Sequence, residues 1–263
     1  MSRQGIRNLV RAGALLLAAG VAMAAWADTL YLTDGTKIEG KQIRYKQSTQ
    51  EFIVQQETAT VPIPKARVDH PEVAKPEKYD QAAKMVASKQ YDAAMPLLNE
   101  IITAYAMLEW DNAARDLLAQ CSVGKNDAKK AVTLYKEIMD STPAARIPLS
   151  LRRRYWDALT LSQQYASLKK ELDEVIATGP RDMASIALLA RGDMLLAQGQ
   201  KQDALYDYLR VRVLYQNVAE LQPEALFKAA QMLEELRDPR AADLRKTLVT
   251  EYRDSEYAKR VGG

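Results

Sequence analysis

The 263-residue sequence predicts a mainly α protein, a solenoid of about five helix pairs preceded by a small β-meander. Three observations predict it. A helix-pair pattern recurs at near-constant intervals from residue 78 onward. Residues 28 to 70 instead alternate short strands with turn residues. Residues 1 to 27 carry the pattern of an export leader and drop out of the fold.

The leader has a basic start (Arg3, Arg7, Arg11), an apolar run from Ala12 to Met23, and the small-residue cleavage site Ala25-Trp26-Ala27. Cleavage would leave Asp28 as the first residue. The apolar run is shorter than the roughly 20 residues a membrane span needs, so no membrane insertion is expected after cleavage. No Cys follows the apolar run to take a lipid. The expected location is periplasmic or secreted. Export also changes the charge balance. The chain has 37 basic and 34 acidic residues, and three of the basic ones leave with residues 1–27, so 34 face 34. A balanced surface argues against nucleic acid as a partner.

The β module is expected over residues 28–70. Thr29-Leu30-Tyr31-Leu32-Thr33 alternates apolar and polar residues, as a half-buried strand does. Asp34-Gly35 is a hairpin turn signal. Lys37 to Lys46 reads as one strand whose inward set changes parity between Ile38 and Ile43, so a bulge is expected at Gly40. Glu51–Gln56 and Ala59–Pro64 complete the meander, with Pro62 and Pro64 at a sheet edge. Residues 71–77 form the linker. The wider stretch 65–77, with Pro71 and Pro76, reads as a semi-rigid spacer with His70 in it.

The helical body spans residues 78–263. Ala94, Ala131, Leu168, Ala204 and Ala242 hold equivalent places, 37, 37, 36 and 38 residues apart. A fixed period in this range marks stacked repeats. Four residues later stand Leu98, Tyr135, Leu172 and Tyr208, whereas Lys246 departs. Pro143 and Pro180 fall where second helices should end. Pro96 is expected within the first turn of its helix. The clearest unit is Gly192 to Tyr208. Gly192 and Ala204 would let two helices approach, and Gly199 would end the first in the left-handed conformation.

These residues resemble the tetratricopeptide repeat: Gly192, Gly199, Ala204 and Tyr208 in one unit, Tyr91 and Ala94 in another, Ala131, Tyr135 and Pro143 in a third. The ending Glu251–Arg260, EYRDSEYAKR, is similar to exported bacterial members such as the periplasmic coordinator of the Tol–Pal system and an outer-membrane assembly lipoprotein. Arg253 stands where their proline would be. The β module looks like a small Sm-like or SH3-like barrel. The resemblance implies that the first helix of each pair lines a concave surface. Gln120, Arg153, Asp157, Leu189, Asp193, Phe227 and Gln231 are placed there, with Phe227 as an aromatic anchor. Arg152-Arg153-Arg154 reads by default as a solvated helix face.

No catalytic, cofactor-binding or metal-ligating constellation is expected. The single His70 lacks a companion base or nucleophile, and the single Cys121 reads as a small apolar packing residue. One His and one Cys give no metal set without carboxylates. Trp110 and Trp156 are the natural sugar platforms in a carbohydrate-binding alternative, and read more simply as packing. The expectation is therefore no enzyme but a protein–protein adaptor of the cell envelope, monomer or homodimer, holding a partner segment in its groove. A self-assembling structural protein and a cell-wall carbohydrate-binding protein or enzyme are the alternatives.

Overall fold

The computed structural model describes residues 28–262. The leader and its cleavage site lie outside the described residues. The chain divides into two compact units: Gln50–Ala74 with the described part of Met1–Ile43, and Arg44–Thr49 with Lys75–Gly263.

The first unit holds most of six strands: β1 (Asp28–Leu32), β2 (Lys37–Gly40), β3 (Gln42–Lys46), β4 (Glu51–Gln55), β5 (Thr60–Pro64) and β6 (Val68–Glu72). They form two three-stranded sheets, ordered β2-β1-β6 and β3-β4-β5. Leu30, Leu32, Ile43, Phe52, Val54 and Ile63 are its buried apolar residues. Asp34-Gly35 closes the β1–β2 hairpin: Gly35 has φ +83°, and Asp34 Oδ1 accepts from the Thr36 amide (2.9 Å) and hydroxyl (2.6 Å).

Two expectations fail here. Lys37–Lys46 is not one bulged strand. At Gly40 the chain leaves one sheet and enters the other, because a Cβ there would lie 2.6 Å from Val54 Cγ1 and 2.9 Å from the Gln55 carbonyl oxygen. Only glycine lets the strands approach so closely at this corner. Residues 65–77 are not all spacer either. A 3-10 turn (Lys65–Arg67) leads into β6, which pairs antiparallel with β1 and buries Pro71 opposite Leu30. His70 therefore sits on a strand, with its ring stacked 4.4 Å from Tyr31. Asp28, only 8% exposed, ties the module shut by accepting from the Ile43 amide (2.9 Å) and the Ala74 amide (3.0 Å).

The second unit contains α1 (Tyr79–Ala87), α2 (Tyr91–Ala104), α3 (Trp110–Gly124), α4 (Ala128–Ser141), α5 (Leu149–Leu161), α6 (Tyr165–Thr178), α7 (Arg181–Ala197), α8 (Lys201–Leu214), α9 (Gln222–Glu235), α10 (Ala241–Glu251) and α11 (Glu256–Gly262). The described chain is thus mainly helical. Among the described residues, no helix is long and apolar enough to cross a membrane.

The helices come as pairs joined by one recurring turn. Lys89, Asn126, Gln163, Gly199 and Arg237 each have φ between +56° and +76°. At each, two amides fold back onto the preceding helix, as Asn126 N–H does to Val123 O (2.9 Å) and Asp127 N–H to Ser122 O (2.8 Å). This is the Schellman termination, which satisfies carbonyls that a helix end leaves open. Sequence pattern identified it only at Gly199, since the other four positions carry side chains. A side chain in this conformation costs about 1–2 kcal/mol. Gln163→Gly is therefore expected to stabilise the unit by about 1 kcal/mol after the added freedom of the unfolded chain is subtracted. Gly199→Ala, with open space around its Cβ but φ +76°, should destabilise by a similar amount, about 1 kcal/mol. Urea midpoints of the two variants check both signs.

The turn sets the register of the second helix. In α2, α4, α6 and α8 the fourth and eighth residues are buried: Ala94 with Leu98, Ala131 with Tyr135, Leu168 with Leu172, and Ala204 with Tyr208. The fifth pair keeps these inward places but departs from the sequence spacing. Pro239 lengthens its turn, and α10 opens two residues late, a rotation of about 200° at 3.6 residues per turn. Ala242 and Lys246 are consequently exposed, and Leu244 and Leu248 take the inward places, Leu248 fully buried. Pro96 also departs, being the sixth residue of α2 and so past its first turn.

Gly192 faces Tyr208 rather than Ala204. A Cβ at Gly192 would lie 2.8 Å from Tyr208 Cδ1 and closer still to Cε1, and that ring is fully buried. Gly192→Ala should cost about 1–3 kcal/mol through this overlap. Gly124→Ala overlaps the outer end of a ring that is only partly buried, Tyr91, so its loss should be smaller. Thermal denaturation of the two variants side by side tests the ranking.

Apolar clusters follow one another along the helices. One spans Ala82 to Met194, the next Leu188 to Ala241, and the last joins Leu226, Leu248 and Ala258.

Candidate functional site

Helix α5 carries Arg152, Arg153 and Arg154 in succession. Neighbours on a helix point about 100° apart, at 3.6 residues per turn, so the three guanidinium groups diverge. Each meets a carboxylate on a different helix, which corrects the reading of a solvated face. Arg154 binds Asp116 of α3 through two parallel bonds of 2.9 and 2.7 Å. Arg152 approaches Glu171 of α6 at 4.0 Å. Arg153 is the centre of a larger network.

Arg153 Nε donates to Asp157 Oδ1 (2.9 Å), one helical turn on. Its NH2 group donates to Asp193 of α7 and to Glu224 Oε1 of α9 (3.1 Å). Lys228, one turn after Glu224, donates to both Asp193 oxygens (2.6 Å each) and pairs with Glu224 at 2.7 Å. The Tyr208 hydroxyl of α8 donates to Asp193 Oδ1 (2.8 Å). Arg153 is only 17% exposed and Glu224 only 16%, so these charges interact through a partly desolvated medium.

That setting shifts their titration. Burial pushes the Tyr208 hydroxyl far up, and the Asp193 charge adds to it, so it remains a donor. Burial raises Glu224, but Arg153 and then Lys228 pull it down by more, leaving it below the usual glutamate range. Burial dominates at Asp157 and leaves its carboxyl above the usual range, although Arg153 pulls it down. The arrangement can hold four helices, α5, α7, α8 and α9, in one register. Together with the separate Arg154–Asp116 pair it makes a row of charge pairs along α3, α5, α7 and α9.

The structure thus brings together three of the seven residues picked from the sequence, Arg153, Asp157 and Asp193. It does not bring the others. Leu189 is fully buried in the apolar cluster of α7 to α10 and lines no surface. Phe227 is half-buried, its ring 5.5 Å from Tyr257 of α11, and is no open anchor. Gln120 is half-exposed and donates to Asp116 Oδ1 (3.3 Å), at the edge of the row. Gln231 is exposed on α9. Residue-by-residue reading missed Glu224, Lys228, Tyr208, Asp116 and Arg154. The Glu224–Lys228 spacing of four, on the face counted from the repeat, was the available signal.

A second network lies elsewhere on α7. Arg191 grips buried Asp207 of α8 with bonds of 2.7 and 2.8 Å and reaches Asp173 of α6 at 2.6 Å. Among the described residues, no group of three or more His, Cys, Asp or Glu is placed to hold a metal ion. Cys121 is buried, and burial pushes its thiol up, away from the reactive thiolate. His70 Nδ1 lies 2.8 Å from Asp69 Oδ2 on β6. The chain matches no known protein family, no curated protein and no solved structure.

Proposed function

We propose that this chain is an exported, non-enzymatic adaptor of the bacterial cell envelope. Its helix pairs form a tetratricopeptide-like solenoid, and the row of side chains on α3, α5, α7 and α9 lies along the groove that holds a partner segment. The β module, in this reading, is a small Sm-like or SH3-like accessory. The observation that carries the proposal is the repetition itself. Five Schellman turns at intervals of 37, 37, 36 and 38 residues join five helix pairs, and ion pairs link the first helices of the second to fifth pairs, α3 to α5, α5 to α7 and α7 to α9. Stacked repeats of this kind expose an extended surface suited to peptides.

The test is affinity capture from an envelope extract of the source organism with the whole chain as bait. A parallel bait carries Gln120→Arg and Gln231→Arg. These two glutamines flank the row and lie outside the Arg153 network, so the fold survives their replacement. A protein recovered by the first bait and lost from the second supports the adaptor reading. Equal recovery on both baits, or recovery of nothing, defeats it.

A further inference from the structure

The ion network on α5, α7 and α9 does not balance. It holds three carboxylates, Asp157, Asp193 and Glu224, against two cations, Arg153 and Lys228. Both cations are already divided. Arg153 serves all three acids, and Lys228 serves Asp193 and Glu224. The neighbouring Arg154 is committed to Asp116 by its two parallel bonds. The unmatched negative charge falls on the most accessible member: Asp157 is 44% exposed, whereas Asp193 is 23% and Glu224 16%.

We infer that this surface takes a polypeptide segment that presents a lysine or arginine side chain to Asp157. The inference rests on the adaptor reading and adds the chemistry of its partner. A third cation makes the pairing one to one and removes a partly buried excess charge, which is costly to leave unmatched. An acidic segment meets the same excess charge, and the cations within reach are already shared, so it is repelled.

The probes are octalysine and octaglutamate peptides, titrated calorimetrically into the whole chain. Octalysine should bind, more weakly as salt rises, and octaglutamate should not. Asp157→Asn should weaken octalysine binding about fivefold, with the urea midpoint unchanged or higher. Asp157→Glu, which keeps the carboxylate, should restore binding. Equal octalysine affinity in wild type and Asp157→Asn overturns the inference, and so does failure of Asp157→Glu to restore it. The adaptor reading has a separate readout. An envelope partner lost from the Gln120→Arg, Gln231→Arg bait but retained by Asp157→Asn sinks the cation inference alone.

Discussion

Replacing Arg153 with alanine should lower the stability of the helical unit by about 3–5 kcal/mol, the cost of stranding a buried charge. The guanidinium bonds Asp157, Asp193 and Glu224 at once, across three helices. Without it, only Lys228 remains against three carboxylates. Arg153→Lys should fall between wild type and alanine, because an ammonium is a point charge and lacks the planar fork that spans several acceptors. Urea denaturation at neutral pH measures the losses.

The pH dependence of that loss follows from the carboxyl shifts. Glu224 is held below its usual value of 4.5. A depressed acid contributes stability above its unfolded value and loses it as pH falls through the lower folded value. Removing Arg153 removes the largest cause of that depression. The gap between wild type and Arg153→Ala should therefore narrow as pH drops below about 4.5. Asp157 runs the other way. Its raised carboxyl takes up a proton more readily in the fold, so it adds stability on acidification. A gap that stays constant or widens with acidification would show that Arg153 acts through packing of its carbon stem rather than through charge.

Trp156→Ala should cost a comparable amount, about 3–5 kcal/mol for emptying a large buried aromatic site. Trp156 is fully buried on α5, in the cluster that runs from Ala82 to Met194. Its indole N–H donates to Glu171 Oε1 of α6 at 2.8 Å, so truncation also removes a charge-assisted bond. For a unit of this size, about 2–4 °C of melting temperature is expected per kcal/mol. Scanning calorimetry would register the fall. A sugar-stacking role makes the opposite prediction, unchanged stability with loss of carbohydrate binding. Trp110, half-buried and edge-on to Tyr79 at 5.0 Å, is likewise placed for packing.

The repeat was legible because it is local. A small or apolar residue four and eight places into a helix is dictated by the 3.6-residue turn, and the sequence shows it wherever the turn length is constant. It failed at α10, where Pro239 changed the turn length and moved Leu244 and Leu248 into the places expected for Ala242 and Lys246. The same locality made the Asp34-Gly35 hairpin readable and hid the sheet change at Gly40. That corner depends on Val54 and Gln55, more than ten residues away.

The candidate site was half legible. Counting along the repeat placed Arg153, Asp157 and Asp193 on one side of the first helices, and they do meet. It could not tell them from Leu189, at an equivalent count, because burial at that point depends on α8 and α9 closing over it. It also could not say that these charges are mostly spent on one another. By itself the sequence determined the helix pairs, their period and the strand-to-helix order, since each follows from spacing within one element. Only the tertiary structure decided which polar side chains are paired and which face solvent. Arg153 and Glu224 are 71 residues apart in the chain and bonded in the fold, and no local pattern encodes that distance.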